Sequence, residues 1–121
     1  MAVKKILVVD DSPTERFVLN DLLSKEGYTV IAAASGEEGV AKAKAELPDV
    51  IVMDVVMPGL NGYQATRILT RDEATKNIPV ILCTTKGQET DKIWGMRQGA
   101  IDYMVKPVNS KQLLQRIADL S

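Results

Sequence analysis

Residues 6–15 read Ile6-Leu7-Val8-Val9-Asp10-Asp11-Ser12-Pro13-Thr14-Glu15, and this stretch shows the unit from which the fold is built. Its four consecutive apolar residues, Ile6–Val9, predict a strand that is covered on both faces. Ser12 and Glu15 have the spacing of a capping box, and Pro13 suits the first position of a helix. The stretch therefore predicts a strand that leads through an acidic turn directly into a helix.

The same strand-to-helix unit recurs along the rest of the chain. Short apolar runs predict five strands, at Ile6–Val9, Thr29–Ala33, Val50–Met53, Val80–Cys83 and Tyr103–Val105. Helical patterns fill the gaps: from Ser12 to a stop at Gly27, from Ser35 to Pro48, and over Tyr63–Leu69, Glu89–Gln98 and Ser110–Leu120. These five βα units predict one domain, residues 1–121, built on a parallel α/β sheet. We expect no output domain.

Two of the predicted helices carry an apolar stripe that we expect to be buried. The stripes consist of Val18, Leu19, Leu22 and Leu23 in the first helix, and of Leu113, Leu114, Ile117 and Leu120 in the last. Gly95 lies inside the fourth helix, where a glycine costs roughly 1 kcal/mol relative to alanine.

The composition excludes several classes of function. The 121 residues carry 15 basic and 16 acidic side chains, whereas proteins that bind nucleic acid usually have a basic excess. No apolar run is long enough for a membrane span, and acidic residues follow the first apolar run too early for a secretory signal. The absence of histidine excludes catalytic triads and zinc sites that need imidazole. The single cysteine, Cys83, fits a reducing cytoplasm and is expected to pack as a small buried residue.

Polar residues follow four of the five predicted strands at the point where each strand ends. They are Asp10 and Asp11 after the first strand, Asp54 after the third, Thr84 after the fourth and Lys106 after the fifth. In open parallel sheets, ligand sites form at the carboxyl ends of the strands. We therefore expect these side chains to meet at one edge of the sheet.

Three carboxylates at one edge repel each other unless positive charge compensates them. Mg²⁺ prefers oxygen ligands of this kind, and Lys106 would add a compact ammonium group. A carboxylate beside both charges is placed to attack a phosphorus atom and become an aspartyl phosphate. Mg²⁺, Lys106 and the Thr84 hydroxyl would then neutralise the charge on the transferred oxygens.

The chain resembles the receiver domains of response regulators over essentially its whole length. The motifs that carry the resemblance are Asp10-Asp11, Asp54 with Met57-Pro58-Gly59-Leu60-Asn61-Gly62, Thr84, and Lys106-Pro107. The resemblance implies a flavodoxin-like, doubly wound fold with five parallel strands in the order 2-1-3-4-5. It also implies that the chain is a phosphorylated switch rather than an enzyme, and that a histidine kinase of the CheA-like type supplies the phosphoryl group.

The resemblance assigns a role to each residue of the acidic edge. Asp54 would be the phosphoacceptor. Asp10, Asp11 and Asp54 would hold Mg²⁺ together with the main-chain carbonyl of Val56, and Asp11 would bind the metal directly. Lys106 would sense the phosphoryl group.

Further residues are implied in switching and in the lifetime of the phosphoryl group. Thr84 and a half-buried Tyr103 would form the switch pair, and the bond from Lys106 to Pro107 would be cis. Val56, Thr85 and Lys86 are expected to tune the rate of phosphoryl loss. Val56 offers no hydrogen bond to an attacking water, and Lys86 is expected to lie across the phosphoryl oxygens.

Segments 10–15, 57–67 and 84–95 further resemble stand-alone regulators of type IV pilus and twitching-motility systems. The implied output is an unidentified protein that docks on the face of the fourth helix, fifth strand and fifth helix. Lys92, Met96 and Tyr103 are candidate contacts there. The chain itself would be a monomer or a weak dimer.

Several alternatives stay open at this point. A receiver can also serve as a phosphate sink or act in another signalling pathway. A flavodoxin-like cofactor carrier is disfavoured because no loop rich in Gly, Ser or Thr follows the first strand. An aspartyl-phosphate phosphohydrolase would need an acid at Val56. Trp94 is equally compatible with the core and with an exposed partner contact.

Overall fold

The computed structural model describes residues 2–121 as ten alternating strands and helices. The strands are β1 (Lys5–Val9), β2 (Thr29–Ala33), β3 (Val50–Met53), β4 (Val80–Thr84) and β5 (Asp102–Val105). The helices are α1 (Pro13–Lys25), α2 (Gly36–Glu46), α3 (Gly62–Arg71), α4 (Glu89–Arg97) and α5 (Ser110–Asp119). Every predicted strand and helix is present. Where an observed boundary differs from the predicted one, the difference is one or two residues.

The five strands form one parallel sheet in the order β2-β1-β3-β4-β5, as the resemblance implied. The register places the last residues of neighbouring strands side by side. Val9 pairs with Met53 between β1 and β3, and Thr84 pairs with Val105 between β4 and β5. Because Asp10, Asp54 and Lys106 directly follow these strand ends, the register delivers them to the same edge.

The sheet is covered on both faces, which explains why its central strands are apolar throughout. On one face, Leu7, Ile51 and Leu82 belong to a buried cluster that includes residues of α2 and α3. On the other, Val8 and Ile81 pack with residues of α1 and α5. Burial on both faces by helices is the usual arrangement of parallel sheets. Among residues 2–121, none of the helices has the length and apolar character that a bilayer span requires.

The predicted helix faces are confirmed only in part. Leu19 and Leu23 of α1 are buried, as are Leu113 and Ile117 of α5. Val18 was expected to be buried with them, but 53% of its surface is exposed, so this prediction was wrong. The buried arc of α1 contains Leu19 and Leu23, whereas Val18 lines an open cavity between α1 and the loop after β5.

Gly95 has a packing role that the sequence pattern did not reveal. It is the buried residue of α4, and a Cβ atom at this position would lie 2.9 Å from Cδ2 of Tyr103 and 3.0 Å from Cδ1 of Leu82. Both distances are shorter than ordinary carbon–carbon contacts, and both neighbours belong to the packed core. The missing side chain therefore lets α4 approach β4 and β5 closely.

We predict that Gly95→Ala destabilises the protein by about 1 kcal/mol, although alanine is the better helix former. The gain in helix propensity is about 1 kcal/mol, whereas overpacking a core costs about 1–3 kcal/mol. The free energy of unfolding in urea measures the balance. Thr90→Ala, at an exposed position of the same helix, should change stability by less than about 0.5 kcal/mol. A Gly95→Ala variant more stable than the parent would refute the packing argument.

Candidate functional site

Three charged side chains from three strands meet at the carboxyl edge of the sheet. The Lys106 ammonium donates to Oδ2 of Asp10 at 2.8 Å and to Oδ2 of Asp54 at 3.3 Å. These partners lie 96 and 52 residues away in the chain. The side chains of Asp54 and Lys106 are 12% and 13% exposed, and that of Asp10 only 2%. The acidic edge is thus a compact site, and Asp54 remains accessible from solvent.

Asp10 is fixed from several directions. Its Oδ1 accepts a hydrogen bond from the Ser12 amide at 3.0 Å, its main-chain amide donates to Ala33, and its carbonyl accepts from Nη1 of Arg16 at 2.7 Å. One carboxylate oxygen therefore supports the start of α1 while the other binds Lys106. The role of Arg16 was not predicted, because no short sequence motif indicates that a side chain binds a main-chain carbonyl.

Asp54 is held by the turn that follows β3. Its Oδ1 accepts from the Val55 amide at 2.7 Å, and its main-chain amide donates to Val9 at 2.9 Å. Gly62, at the start of α3, packs so closely that a Cβ atom there would lie 2.1 Å from the Asp54 carbonyl oxygen. This close approach explains the need for glycine at position 62 and ties α3 to the site.

The three acidic side chains fit the requirements of a hard cation. One carboxylate oxygen from each of Asp10, Asp11 and Asp54 lies within 4.8 Å of the others. Asp10 is buried, Asp54 is part-buried and Asp11 is exposed, so the cluster is closed on one side and open on the other. Oxygen donors with solvent access are the ligands of Mg²⁺, which keeps several of its waters. The donor set therefore fits this metal.

The electrostatics of the site keep Lys106 positively charged. Partial burial alone would lower the pKa of Lys106, but the hydrogen bond to Asp10 and the charges of Asp54, Asp10 and Glu15 outweigh it and hold the pKa above its ordinary value. The ammonium is therefore charged at neutral pH and compensates the acidic cluster.

The predicted switch residues, Thr84 and Tyr103, are both buried. Thr84 is fully buried, and its Oγ1 accepts from the Lys86 amide at 3.3 Å. The Tyr103 hydroxyl donates to the Lys86 carbonyl at 2.6 Å and lies 3.4 Å from the hydroxyl of Tyr63. Burial and the neighbouring Tyr63 raise the pKa of Tyr103 well above its ordinary value.

Tyr103 lies deeper than expected. It was expected to be half-buried, but only 6% of its surface is exposed. The space beside Gly95 admits its ring, which explains the deeper position. Tyr63 was not predicted at all; its hydroxyl donates to the Asp91 carbonyl at 3.0 Å and so links α3 to α4.

The three residues expected to tune the phosphoryl lifetime lie in the loops that follow β3 and β4. Val56 is 55% exposed, and Thr85 is exposed as well. Val56 and Lys86 line a cavity of about 280 Å³ next to the turn that holds Asp54. The Lys86 ammonium pairs with Asp91 at 3.5 Å in the unphosphorylated protein. A local acidic partner on α4 holds it there.

Three further expectations concern Cys83, Trp94 and the peptide bond before Pro107. Cys83 is buried, as predicted, and burial raises the pKa of its thiol to about 12. Trp94 is 49% exposed on α4, so of its two predicted environments the structure shows the surface one. The Lys106–Pro107 peptide bond is cis, in agreement with the resemblance.

Comparisons with known proteins agree with this geometry. The family described as "Response regulator receiver domain" matches residues 6–118. The chain is 59% identical to Protein PilH of Pseudomonas aeruginosa over 113 residues, which cover 93% of both proteins. It is 40% identical to the alkaline phosphatase synthesis transcriptional regulatory protein PhoP of Bacillus subtilis, but it spans only 47% of that protein's length.

Solved structures with 31% and 34% sequence identity to this chain share its fold. The chemotaxis protein CheY4 of Vibrio cholerae superposes with a TM-score of 0.91 and 34% identity, covering 99% of this chain and all of that one. The receiver domain of the sensor histidine kinase PA1611 from Pseudomonas aeruginosa has a TM-score of 0.89 and 31% identity, with 98% of each chain covered. That domain was solved with a magnesium ion coordinated in its active-site cleft.

We predict that Lys106→Met lowers the free energy of unfolding by about 2 kcal/mol or more. The change leaves the buried Asp10 carboxylate beside Asp54 without its compensating charge. Asp10→Asn removes the repulsion, so the double variant should be more stable than the sum of the single effects predicts. Urea unfolding of the four proteins gives the coupling energy, and the exposed Lys111→Met serves as control. Strictly additive effects would contradict the proposed charge compensation.

Proposed function

The chain belongs to the family of response regulator receiver domains, and we propose that it is a phosphorylation-controlled switch whose phosphoacceptor is Asp54. Members of this family are signalling proteins rather than metabolic enzymes. The observation that carries the proposal is the Lys106 ammonium, which lies between Asp10 and the accessible Asp54. A carboxylate beside a fixed cation is the arrangement that transfer of an anionic phosphoryl group requires.

In the proposed reaction, a carboxylate oxygen of Asp54 attacks the phosphorus of a phosphohistidine on a histidine kinase. The new bond to Asp54 forms as the bond to the histidine nitrogen breaks. Lys106 and the Thr84 hydroxyl then bind the phosphoryl oxygens. Asp10, Asp11, Asp54 and the main-chain carbonyl of Val56 would hold Mg²⁺, which, when bound, supplies further positive charge beside the phosphoryl group.

The proposed output surface is formed by α4, β5 and α5. A cavity of about 730 Å³ lies there, lined by residues that include Lys92, Tyr103 and Lys111. Thr84 and Tyr103 are both connected to the β4–α4 loop through Lys86, which offers a path from the phosphoryl site to this surface. An output protein is controlled only if it binds the two states of the surface differently.

The biological setting is proposed from similarity to Protein PilH, which extends over 93% of both chains. We place the chain in type IV pilus and twitching control or in a chemotaxis-like motility system, with a CheA-like histidine kinase as donor. We further propose a cytoplasmic regulator that acts as a monomer or weak dimer without binding nucleic acid. The balance of acidic and basic residues supports the absence of nucleic-acid binding, and the single buried cysteine fits a reducing cytoplasm.

We predict that acetyl phosphate adds one phosphoryl group to the protein in the presence of Mg²⁺. Asp54→Ala should abolish the added mass, and so should chelation of the metal, because both remove a group that the transfer needs. Intact-protein mass spectrometry measures the modification. Asp21→Asn, an exposed substitution on α1, serves as control and should be modified like the parent. Full incorporation into the Asp54→Ala protein would refute the assignment.

We also propose that Val56, Thr85 and Lys86 set the rate of spontaneous phosphoryl loss, and that Val56 slows it. A valine cannot hydrogen-bond the attacking water, so Val56→Asn should accelerate the loss about tenfold, the effect of one contact of about 1.4 kcal/mol. The decay of the phosphorylated species under saturating Mg²⁺ measures this rate. Val18→Asn, a similarly exposed valine on α1, should leave the decay unchanged. A Val56→Asn rate equal to or below that of the parent would exclude the argument.

A further inference from the structure

Glu15 has a contact that helix capping does not explain. It occupies the third position of α1, where its amide donates to Oγ of Ser12 at 3.2 Å. In a complete capping box, its carboxylate would in turn accept from the Ser12 amide. That amide already donates to Oδ1 of Asp10 at 3.0 Å. The carboxylate of Glu15 is therefore available to interact with another partner.

The partner is Lys106. Oε2 of Glu15 lies 3.8 Å from the ammonium nitrogen, whose distance to Oδ2 of Asp54 is 3.3 Å. Two carboxylates this close to one nitrogen are separated by less than the Debye length of about 8 Å at physiological ionic strength, so salt screens their interaction only partly. The side chain of Glu15 is 45% exposed and thus stands at the entrance to the site.

The surroundings of Glu15 also limit its hydration on one side. Together with Lys106 it lines a cavity of about 210 Å³ between α1 and the loop after β5, whose other walls include Leu19, Leu22 and Pro107. Charges next to apolar walls interact more strongly than charges surrounded by water. The negative charge of Glu15 therefore repels an anion that approaches Asp54. It also partly neutralises the positive charge of Lys106.

We propose that Glu15 determines the phosphodonor specificity of the site by disfavouring small donors of high negative charge. The inference rests on the proposed phosphorylation of Asp54. With acetyl phosphate, a bond forms between Asp54 and phosphorus while the bond from phosphorus to the acetate oxygen breaks and acetate leaves. With phosphoramidate, the phosphorus–nitrogen bond breaks and ammonia leaves with the protons that its nitrogen already carries. Near pH 7 the first donor carries two negative charges and the second carries one.

The experiment compares the phosphorylation rate constants for the two donors at pH 7 and saturating Mg²⁺. Coulomb interaction over this distance in water corresponds to about threefold in rate per unit of donor charge. Glu15→Gln should therefore accelerate acetyl phosphate about ninefold and phosphoramidate about threefold, so that the ratio of the two rates rises about threefold. At 1 M salt, where the Debye length is about 3 Å, the rise should largely disappear.

Two matched variants separate charge from structure. Glu15→Asp keeps the negative charge and should keep a donor ratio close to that of the parent. Asp21→Asn removes a charge from the same helix, but Asp21 pairs with Lys25 rather than with Lys106. This variant should therefore not change the ratio. An unchanged ratio in Glu15→Gln, or an equal change with both donors, would overturn the inference. Failure of every protein, including the parent, to incorporate phosphate would instead overturn the proposed function.

Discussion

The structure depends on one electrostatic constraint: acidic side chains that end two neighbouring strands must share a single ammonium group. Asp10 and Asp54 follow paired residues of β1 and β3, so the register of the sheet forces their carboxylates together. Lys106 reaches both from the end of β5. Like charges at this separation are tolerated only with a counter-charge. The same arrangement that makes the edge costly for folding makes it suitable for holding a phosphoryl group.

The elements around the edge fix the positions of this charge cluster. Ser12 and Arg16 hold Asp10, the turn after β3 holds Asp54, and Gly62 brings α3 against that turn. Below the edge, Lys86 contributes its amide to Thr84 and its carbonyl to Tyr103. A displacement of the β4–α4 loop would therefore reach the surface of α4 and β5 through short hydrogen bonds rather than through a long-range distortion.

Much of this arrangement could be predicted, because local apolar runs mark the strand ends and the resemblance to receiver domains implied the order of the strands. Apolar runs such as Ile6–Val9 and the acids that follow them predicted the sheet and the acidic edge. Contacts between side chains distant in sequence could not be predicted in the same way. The buried position of Tyr103 depends on the space beside Gly95, and the contact of Glu15 with Lys106 depends on the prior use of the Ser12 amide by Asp10. The exposure of Val18 could not be predicted, because helical periodicity gives the direction of a buried face but not its width.

We expect the acidic edge to direct phosphorylation to one carboxylate among three. Reduction of the phosphorylated protein with borohydride converts an aspartyl phosphate to homoserine, and peptide mass spectrometry then locates the converted residue. Position 54 should be the site of conversion, because Asp54 is the accessible carboxylate beside Lys106, whereas Asp10 is buried and bound to the start of α1. Conversion at Asp10 or Asp11, with Asp54 intact, would show that Asp54 is not the phosphoacceptor.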